Sequence, residues 1–341
     1  MSALKFAAGF AAVVQLVTAS TSAAPLTLEP VIGILSIPLD DVEQPCLTLA
    51  AAASARRRGT GAPDPLEPSC FTAFYRQWVE SAGARTVVIP YNANETVLNA
   101  LFSSVNGVLF TGGGLEAGLA FNSTYMQTAR RLLDLVVAAN DAGDYVPLHG
   151  TCQGFQVLAL LTSNNQSVLS RNAFDSENES LPLDITAEGL RVPLFADAPP
   201  SVLATLRTQN ATMNLHHDGV SPAAFYESDA LADFYVLASL NADRAGRPFV
   251  STLSARRYPI TATQWHPERQ AYEWKPDIGL NHAPDVIRAM AWVAEFFVGE
   301  SRRNGHAFPS SAAMAPYSLY AFPPVFEGDV TAGYQAYLFA F

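Results

Sequence analysis

Short apolar runs alternate along the first half of the chain with stretches whose apolar residues recur at helical spacing. The apolar runs predict buried strands at residues 31–35, 86–90, 107–110 and 145–148. The helical spacing predicts helices at residues 71–81, 96–103 and 125–139. Repeated β-α-β order predicts a parallel sheet covered by helices on both faces, and such sheets bind ligands at the carboxyl ends of their strands.

The second half of the chain is less regular. Between residues 163 and 232 the pattern indicates only loops, turns and short antiparallel strands. Regularity returns with predicted strands at residues 234–237, 249–251 and 260–264 and with a helix at 284–299. The fold class is therefore predicted as α/β, a Rossmann- or flavodoxin-like αβα sandwich with a mostly parallel sheet. We expect one domain over residues 25–341, with a surface insertion rich in Pro, Gly and Ala at about residues 40–69.

The N-terminal 24 residues have the layout of a cleavable signal peptide. Lys5 precedes a short apolar run, and small residues follow it up to Ala24. That run is too short to span a bilayer and no later stretch is long enough, so we expect no membrane anchor. The predicted destination is the secretory pathway, ending outside the cell or in a lysosome or vacuole. Acceptor triplets for N-glycosylation begin at Asn94, Asn122, Asn165, Asn178 and Asn210.

Composition and charge narrow the function classes. The chain has 341 residues, of which 49% are hydrophobic and 15% charged, enough for a packed core. A formal charge of −11 repels phosphate backbones, so nucleic acid is not an expected partner. None of the three cysteines forms a C-x-x-C pair, which gives no zinc motif. A disulfide between Cys46 and Cys70 would tie the ends of the insertion and leave Cys152 free.

The clearest chemical signal is a cysteine between two glycines after a predicted strand. Gly150, Cys152 and Gly154 form a G-x-C-x-G pattern, followed by an apolar helical stretch. In such a nucleophile elbow the glycines let the chain reverse sharply and hold the central residue above the sheet. The helix N-terminus favours the thiolate over the thiol. The alternative is a buried structural cysteine with incidental glycines, and we favour the catalytic interpretation.

A histidine and a glutamate at another strand end supply a candidate base and its partner. His266, Pro267 and Glu268 follow the strand predicted at residues 260–264. In an extended chain, residues two apart face the same side, so His266 and Glu268 can touch. The carboxylate would fix the imidazole tautomer and stabilise the imidazolium that forms when the thiol loses its proton.

A glycine run after the strand at 107–110 is the third part of the predicted site. Gly112, Gly113 and Gly114 let backbone N–H groups approach a ligand closely, as an oxyanion hole requires. The N–H of Gln153 in the elbow is the predicted second donor. An ordinary flexible loop is the alternative. A phosphate cradle is not supported, because no G-K-[ST] follows.

These residues resemble the class I glutamine amidotransferase-like superfamily and, within it, the gamma-glutamyl hydrolases, which are secreted, lysosomal or vacuolar cysteine peptidases that process folates. The resemblance covers most of the chain from Pro30 onward. It is carried by residues 30–35, 80–85, 106–113, 150–155, 264–269, 272–274, 282–284 and 294–298. The segments at 272–274 and 282–284 are similar to the hydrolases and are not general to amidotransferases.

The resemblance implies roles for individual residues. Cys152 would be the nucleophile, His266 its base and Glu268 the orienting acid. His216 would lie near the cleft, whereas by spacing alone His216 and His217 form a solvated pair with no third metal ligand. The chain departs from the family where Gln153 and Gln156 replace the usual Leu and Glu. It departs also at Thr111, usually Pro, at Cys70, usually aromatic, and in its longer insertion.

The function expected from the resemblance is hydrolysis of γ-glutamyl bonds in a small-molecule substrate, folylpoly-γ-glutamate, with no metal or organic cofactor. Related enzymes suggest a homodimer. One alternative is the glutaminase half of an amidotransferase, although a lumenal protein would lack the ATP-using synthetase that takes up the ammonia. The other is a non-catalytic binding or storage protein on the same scaffold.

Overall fold

The computed structural model describes residues 26–39, 68–115, 117–326, 331 and 333–341. The predicted signal peptide and residues 40–67 of the predicted insertion lie outside these ranges. Cys46 lies outside them too, while Cys70 is disulfide-bonded and Cys152 is a free thiol. Among the helices of the described ranges, none is long and apolar enough to cross a membrane.

The strands of the described residues are labelled in chain order. They are β1 (Val31–Leu35), β2 (Ile37–Pro38), β3 (Ser69–Thr72), β4 (Arg85–Ile89), β5 (Gly107–Phe110), β6 (Leu148–Thr151), β7 (Ser176–Leu181), β8 (Asp184–Ile185), β9 (Thr212–His216), β10 (Tyr235–Ala242), β11 (Pro248–Ala255), β12 (Ile260–Thr263), β13 (Val325–Phe326) and β14 (Gln335–Phe339).

The α-helices of the same residues are labelled likewise. They are α1 (Ala73–Ser81), α2 (Glu95–Phe102), α3 (Thr124–Asp141), α4 (Gln153–Ser163), α5 (Pro193–Ala196), α6 (Pro200–Thr208), α7 (Pro222–Tyr226), α8 (Asp229–Phe234), α9 (Pro284–Ser301) and α10 (Ser311–Met314).

The central sheet confirms the predicted α/β class. Its eight strands lie in the order β4-β1-β5-β6-β12-β11-β10-β8. The first five strands in this order are parallel to one another, and each of the last three pairs antiparallel with the strand before it. Numbered along the chain, the parallel strands have the spatial order 2-1-3-4-5, which is the flavodoxin-like order.

Helices cover both faces of this sheet because its strands are apolar on both sides. In β1, Val31 and Leu35 belong to one buried cluster, whereas Ile32 and Ile34 belong to the other. Helices α3 and α4 pack on the first face, and α1, α6 and α9 pack on the second. The sheet is thereby held between two apolar layers.

Most predicted elements are confirmed, with boundaries shifted by a few residues. Two predictions were wrong in position. The strand expected at residues 145–148 lies at Leu148–Thr151, because Pro147 has no N–H to donate to a ladder. The helix expected from Phe71 begins at Ala73, because Ser69–Thr72 is a strand.

The region from residue 163 to 232 is more ordered than the sequence indicated. It contains β7 and β9, which pair antiparallel, and β8, which extends the central sheet. A separate four-stranded sheet has the order β13-β14-β3-β2 and joins the C-terminal strand to β3. The sequence analysis did not predict β13 or β14.

Candidate active site

Three neighbouring parallel strands deliver the predicted site residues to one edge of the sheet. Strand β5 ends before the glycine run, β6 ends before Cys152, and β12 ends three residues before His266. The three strands are adjacent in the order β5-β6-β12. Their carboxyl ends therefore bring together residues that lie far apart in the sequence.

Cys152 occupies a strained turn between β6 and α4. Its backbone has φ 52° and ψ −107°, a conformation that residues with a side chain rarely adopt. The flanking glycines are required: a Cβ on Gly154 would lie 2.3 Å from the carbonyl oxygen of Phe110, and one on Gly150 would lie 2.7 Å from that of Gly154. The Cys152 N–H donates to the Thr263 carbonyl at 2.7 Å, which ties the turn to β12.

His266 and Glu268 form a buried hydrogen-bonded pair. Nδ1 of His266 lies 2.7 Å from Oε1 of Glu268, and the side chains are 4% and 0% exposed. Nε of Arg269 lies 3.3 Å from the same Nδ1 but also 3.6 Å from Oε1 of Glu268. Since the Nδ1 proton is directed to the carboxylate, we assign the Arg269 contact to the carboxylate. Nε2 has no hydrogen-bond partner within the described residues.

The surroundings of His266 favour its protonated form. Burial alone would lower its pKa, but the negative charges of Glu268 and of Cys152 outweigh burial and raise the pKa to about 9. Burial raises the pKa of Glu268, and the His266 and Arg269 charges outweigh that and hold it below its usual value. The arrangement thus suits a thiolate beside an imidazolium.

Tyr75, on α1, contacts the glycine run that was predicted to form the oxyanion hole. The N–H of Gly112 donates to the Tyr75 hydroxyl oxygen at 2.7 Å, so this N–H is not free for an oxyanion. A Cβ on Gly112 would lie 2.7 Å from that hydroxyl, 3.0 Å from Cε1 of His266 and 3.2 Å from Cβ of Cys152. Burial, with the charges of Glu268 and Cys152, raises the Tyr75 pKa well above its ordinary value, so the hydroxyl keeps its proton.

Gln153 connects the elbow to the glycine run. Its side-chain Nε2 donates to the Leu115 carbonyl at 2.9 Å, and its Oε1 lies 3.3 Å from the Leu115 N–H. Gln153 is also the first residue of α4, so its own N–H has no partner within the helix. The role of this N–H as an oxyanion donor stays a prediction, and the side chain has a positioning contact that the sequence did not suggest.

His216 ends β9 and is buried at the cleft wall. Its Nδ1 lies 2.9 Å from the Asp218 carbonyl, and its ring packs edge-on against Phe249 with centroids 4.8 Å apart. Burial lowers the pKa of His216 to about 3, which keeps the imidazole neutral. His217 is exposed and also lines the cleft. The two side chains thus lie in different surroundings and do not form a solvated pair.

A cleft of about 780 Å³ contains these groups. Cys152, Gln153, Gly112, Gly113, His216 and His266 line it, and Glu268 is buried behind His266. Further lining residues were not predicted as site residues; they include Tyr75, Arg269, Glu273 and Lys275. Of these, Arg269 and Glu273 stood only in segments that carry the family resemblance. Within the described ranges, no group of three or more His, Cys, Asp or Glu is arranged to hold a metal ion.

A cysteine at a strand-to-helix turn, beside a buried His-Glu pair on an α/β sheet, defines a cysteine-type hydrolase. Comparison with family models agrees, because residues 50–268 match the model described as Peptidase C26. The chain belongs to this family, that of the gamma-glutamyl hydrolases.

Two curated relatives support the assignment. The chain is 35% identical to gamma-glutamyl hydrolase of Rattus norvegicus over 78% of its length and 82% of the relative. It is 35% identical to the Homo sapiens protein of the same name, with the same two coverages. Among solved structures, it is similar to the glutaminase domain of Trypanosoma brucei CTPS, at 12% identity over 82% of this chain and 96% of that one, with a TM-score of 0.45.

Proposed function

We propose that this protein hydrolyses γ-glutamyl peptide bonds, with folylpoly-γ-glutamates as its substrates, through a thioester on Cys152. One observation carries the proposal. In a chain of the gamma-glutamyl hydrolase family, the strained turn at Cys152 lies beside a His266-Glu268 pair held in its charged form. With a Cys152 thiolate beside a His266 imidazolium, the nucleophile and the proton donor are both present before substrate arrives.

In the first step the Cys152 thiolate attacks the γ-carbonyl carbon. A C–S bond forms, and the carbonyl oxygen takes up the electron pair as an oxyanion. The N–H of Gln153 and the N–H of Gly113 are available to donate to that oxygen. The Tyr75 hydroxyl takes the place that Gly112 was predicted to fill, since it accepts from Gly112 and still has its own proton to donate.

In the second step the tetrahedral intermediate collapses. The C–N bond breaks as His266 gives its Nε2 proton to the departing amine, and the glutamyl group stays on sulfur as a thioester. Water then attacks the thioester, with neutral His266 accepting its proton, and Cys152 leaves as the thiolate. Glu268 holds Nδ1–H throughout, so the proton exchanges occur at Nε2.

The test is turnover of folate pentaglutamate by the purified protein and by Cys152→Ala, followed by mass spectrometry. We expect glutamate or γ-glutamyl peptides to be released by the first protein only. Glutamine hydrolysis without polyglutamate cleavage would favour the amidotransferase alternative. Tight binding with no turnover by either protein would favour the binding-protein alternative. A series of chain lengths then distinguishes endo from exo cleavage.

We infer that the protein acts in an oxidising compartment of the secretory route. The predicted signal peptide supports this, as does the disulfide at Cys70, because disulfides persist outside the reducing cytosol. All five predicted glycosylation asparagines are exposed, and at Asn178 the side-chain Nδ2 also donates to the Asp277 carbonyl. Secretion with N-terminal processing near residue 24 is the expected result, and an unprocessed, unglycosylated protein in eukaryotic expression would contradict it.

A further inference from the structure

Lysine is almost absent from this chain, and one of its two lysines lies at the cleft. The sequence contains only Lys5 and Lys275. Lys275 is exposed and lines the cleft together with Glu177, Asp218, Glu273 and Asp277. Glu273 pairs with Arg269 and Asp218 with Arg171, whereas Glu177 and Asp277 form no ion pair with a described residue. In a protein with a formal charge of −11, their charges disfavour anions at this wall. A polyanionic substrate therefore needs a compensating cation at this place.

Besides His266, whose charge is balanced by Glu268, Arg269 also lines the cleft and is already paired. Arg269 donates to Oε2 of Glu273 at 2.6 Å, lies 3.6 Å from Glu268, and is only 12% exposed. Lys275 forms no ion pair with any residue of the described ranges, and its Nζ lies 4.5 Å from the centre of the Tyr334 ring. Its ammonium group is thus the charge left available to a ligand.

The loop that carries Lys275 is held in place from across the cleft. Asn178, at an irregular position in β7 with φ 56°, donates from Nδ2 to the Asp277 carbonyl at 2.9 Å. Its Oδ1 accepts from the N–H of Gly279 at 2.7 Å. Ser180 donates to the Gly279 carbonyl at 2.7 Å. These bonds fix the backbone near Lys275, so that mainly its side chain must be ordered on binding.

Lys275 also lies on the segment that delivers the proton. Arg269, Glu273 and Lys275 follow His266 in the sequence. Nε of Arg269 lies 3.3 Å from Nδ1 of His266, and Arg269 also donates to Glu273. His266 would meet the departing nitrogen. In a γ-linked glutamate chain, the carbon bonded to that nitrogen bears an α-carboxylate. His266 and Lys275 line the same cleft, so the leaving residue's carboxylate enters a cleft whose wall carries this lysine.

We propose that Lys275 binds the α-carboxylate of the leaving glutamate residue and so selects γ-glutamyl chains over uncharged γ-glutamyl amides. This inference rests on the proposed function. A lysine ammonium suits the role because it is a point charge on a flexible stem that reaches a carboxylate from several directions.

The experiment compares two substrates that differ in one group. One is a γ-glutamyl-glutamate, and the other is its analogue with the leaving residue's α-carboxylate replaced by a carboxamide. For Lys275→Gln we expect KM to rise about tenfold on the first substrate with kcat nearly unchanged, as for loss of one charge-assisted hydrogen bond. KM for the carboxamide should not change. Lys275→Arg keeps the positive charge, so its KM for the γ-glutamyl-glutamate should stay close to that of the unaltered protein.

A matched control removes a positive charge elsewhere. Arg288 is exposed on α9 and does not line the cleft, so Arg288→Gln should leave both KM values unchanged. Equal effects of Lys275→Gln on the two substrates, or no effect on either, would overturn the proposal while the hydrolase function stands. If the unaltered protein cleaves neither substrate, the proposed function itself fails and this inference with it.

Discussion

Replacing Glu268 by glutamine tests whether the buried carboxylate creates the charged cysteine-histidine pair. Glutamine keeps the size and can still accept from Nδ1 of His266 at the observed 2.7 Å, so the geometry is preserved while the negative charge is removed. What changes is the balance between burial, which lowers the His266 pKa, and the nearby charges, which raise it.

The magnitude follows from that balance. His266 has a pKa of about 9 against an ordinary value of 6.5, which corresponds to about 3 kcal/mol in favour of the imidazolium. Without the Glu268 charge, burial dominates and the imidazolium loses at least this amount. The charged pair then becomes a minor species at neutral pH. We expect kcat/KM to fall about 100-fold at pH 7.

The assay combines turnover with a direct probe of the thiolate. Iodoacetamide reacts with the thiolate, and Cys152 is the free cysteine of the described residues. At neutral pH the alkylation rate should be lower in Glu268→Gln than in the unaltered protein. The control is Glu300→Gln, which removes a partly buried carboxylate paired with Arg303, remote from the cleft.

The reasoning would be refuted by a Glu268→Gln protein that keeps both its kcat/KM and its alkylation rate. Equal losses in Glu268→Gln and Glu300→Gln would also count against it, because they would point to a general effect of removing a carboxylate. Circular dichroism and the unfolding midpoint show whether each variant is folded.

Two further predictions concern Tyr75 and His149. Tyr75→Phe removes the proposed donor to the oxyanion, so kcat should fall about 100-fold with little change in KM; an unchanged kcat would assign the donors to backbone N–H groups alone. Burial lowers the pKa of His149 to about 4, below its unfolded value of 6.5, so the unfolded state gains protons first and stability is lost as pH falls below 6.5. Between pH 7 and pH 4.5 the free energy of unfolding, measured with urea, should therefore fall by about 2 to 3 kcal/mol less in His149→Phe than in the unaltered protein. Equal decreases in the two proteins would contradict this.

The parts of the site that could be predicted from sequence are those encoded over a few residues. Gly150 is required by a contact within the turn, the 2.7 Å approach to the Gly154 carbonyl, whereas Gly154 is required by the Phe110 carbonyl on the neighbouring strand β5. His266 and Glu268 are two residues apart in extended chain, which was enough to predict their contact. Alternation of strands and helices was enough to predict that both segments reach the same edge of the sheet.

The parts that could not be predicted depend on pairing between distant segments. Phe71 has helical spacing with the residues after it, yet it lies in β3 because β14, more than 260 residues away, pairs with it. Tyr75 lies within the helix that was predicted at residues 71–81. Its ring is indeed buried, but its hydroxyl reaches Gly112, and no local pattern distinguishes such a tyrosine from one that only packs.

Lys275 shows how a functional residue can leave almost no signal in a single sequence. An exposed lysine in a loop is ordinarily solvated, and its spacing to Cys152 or His266 carries no information. Its significance comes from what surrounds it: Arg269 is neutralised by Glu273, the other charged residues of the cleft are acidic, and the loop is fixed by Asn178. Electrostatic selection is therefore a property of the assembled wall, whereas nucleophilic chemistry is a property of one short turn. The first needs a structure to be recognised, and the second does not.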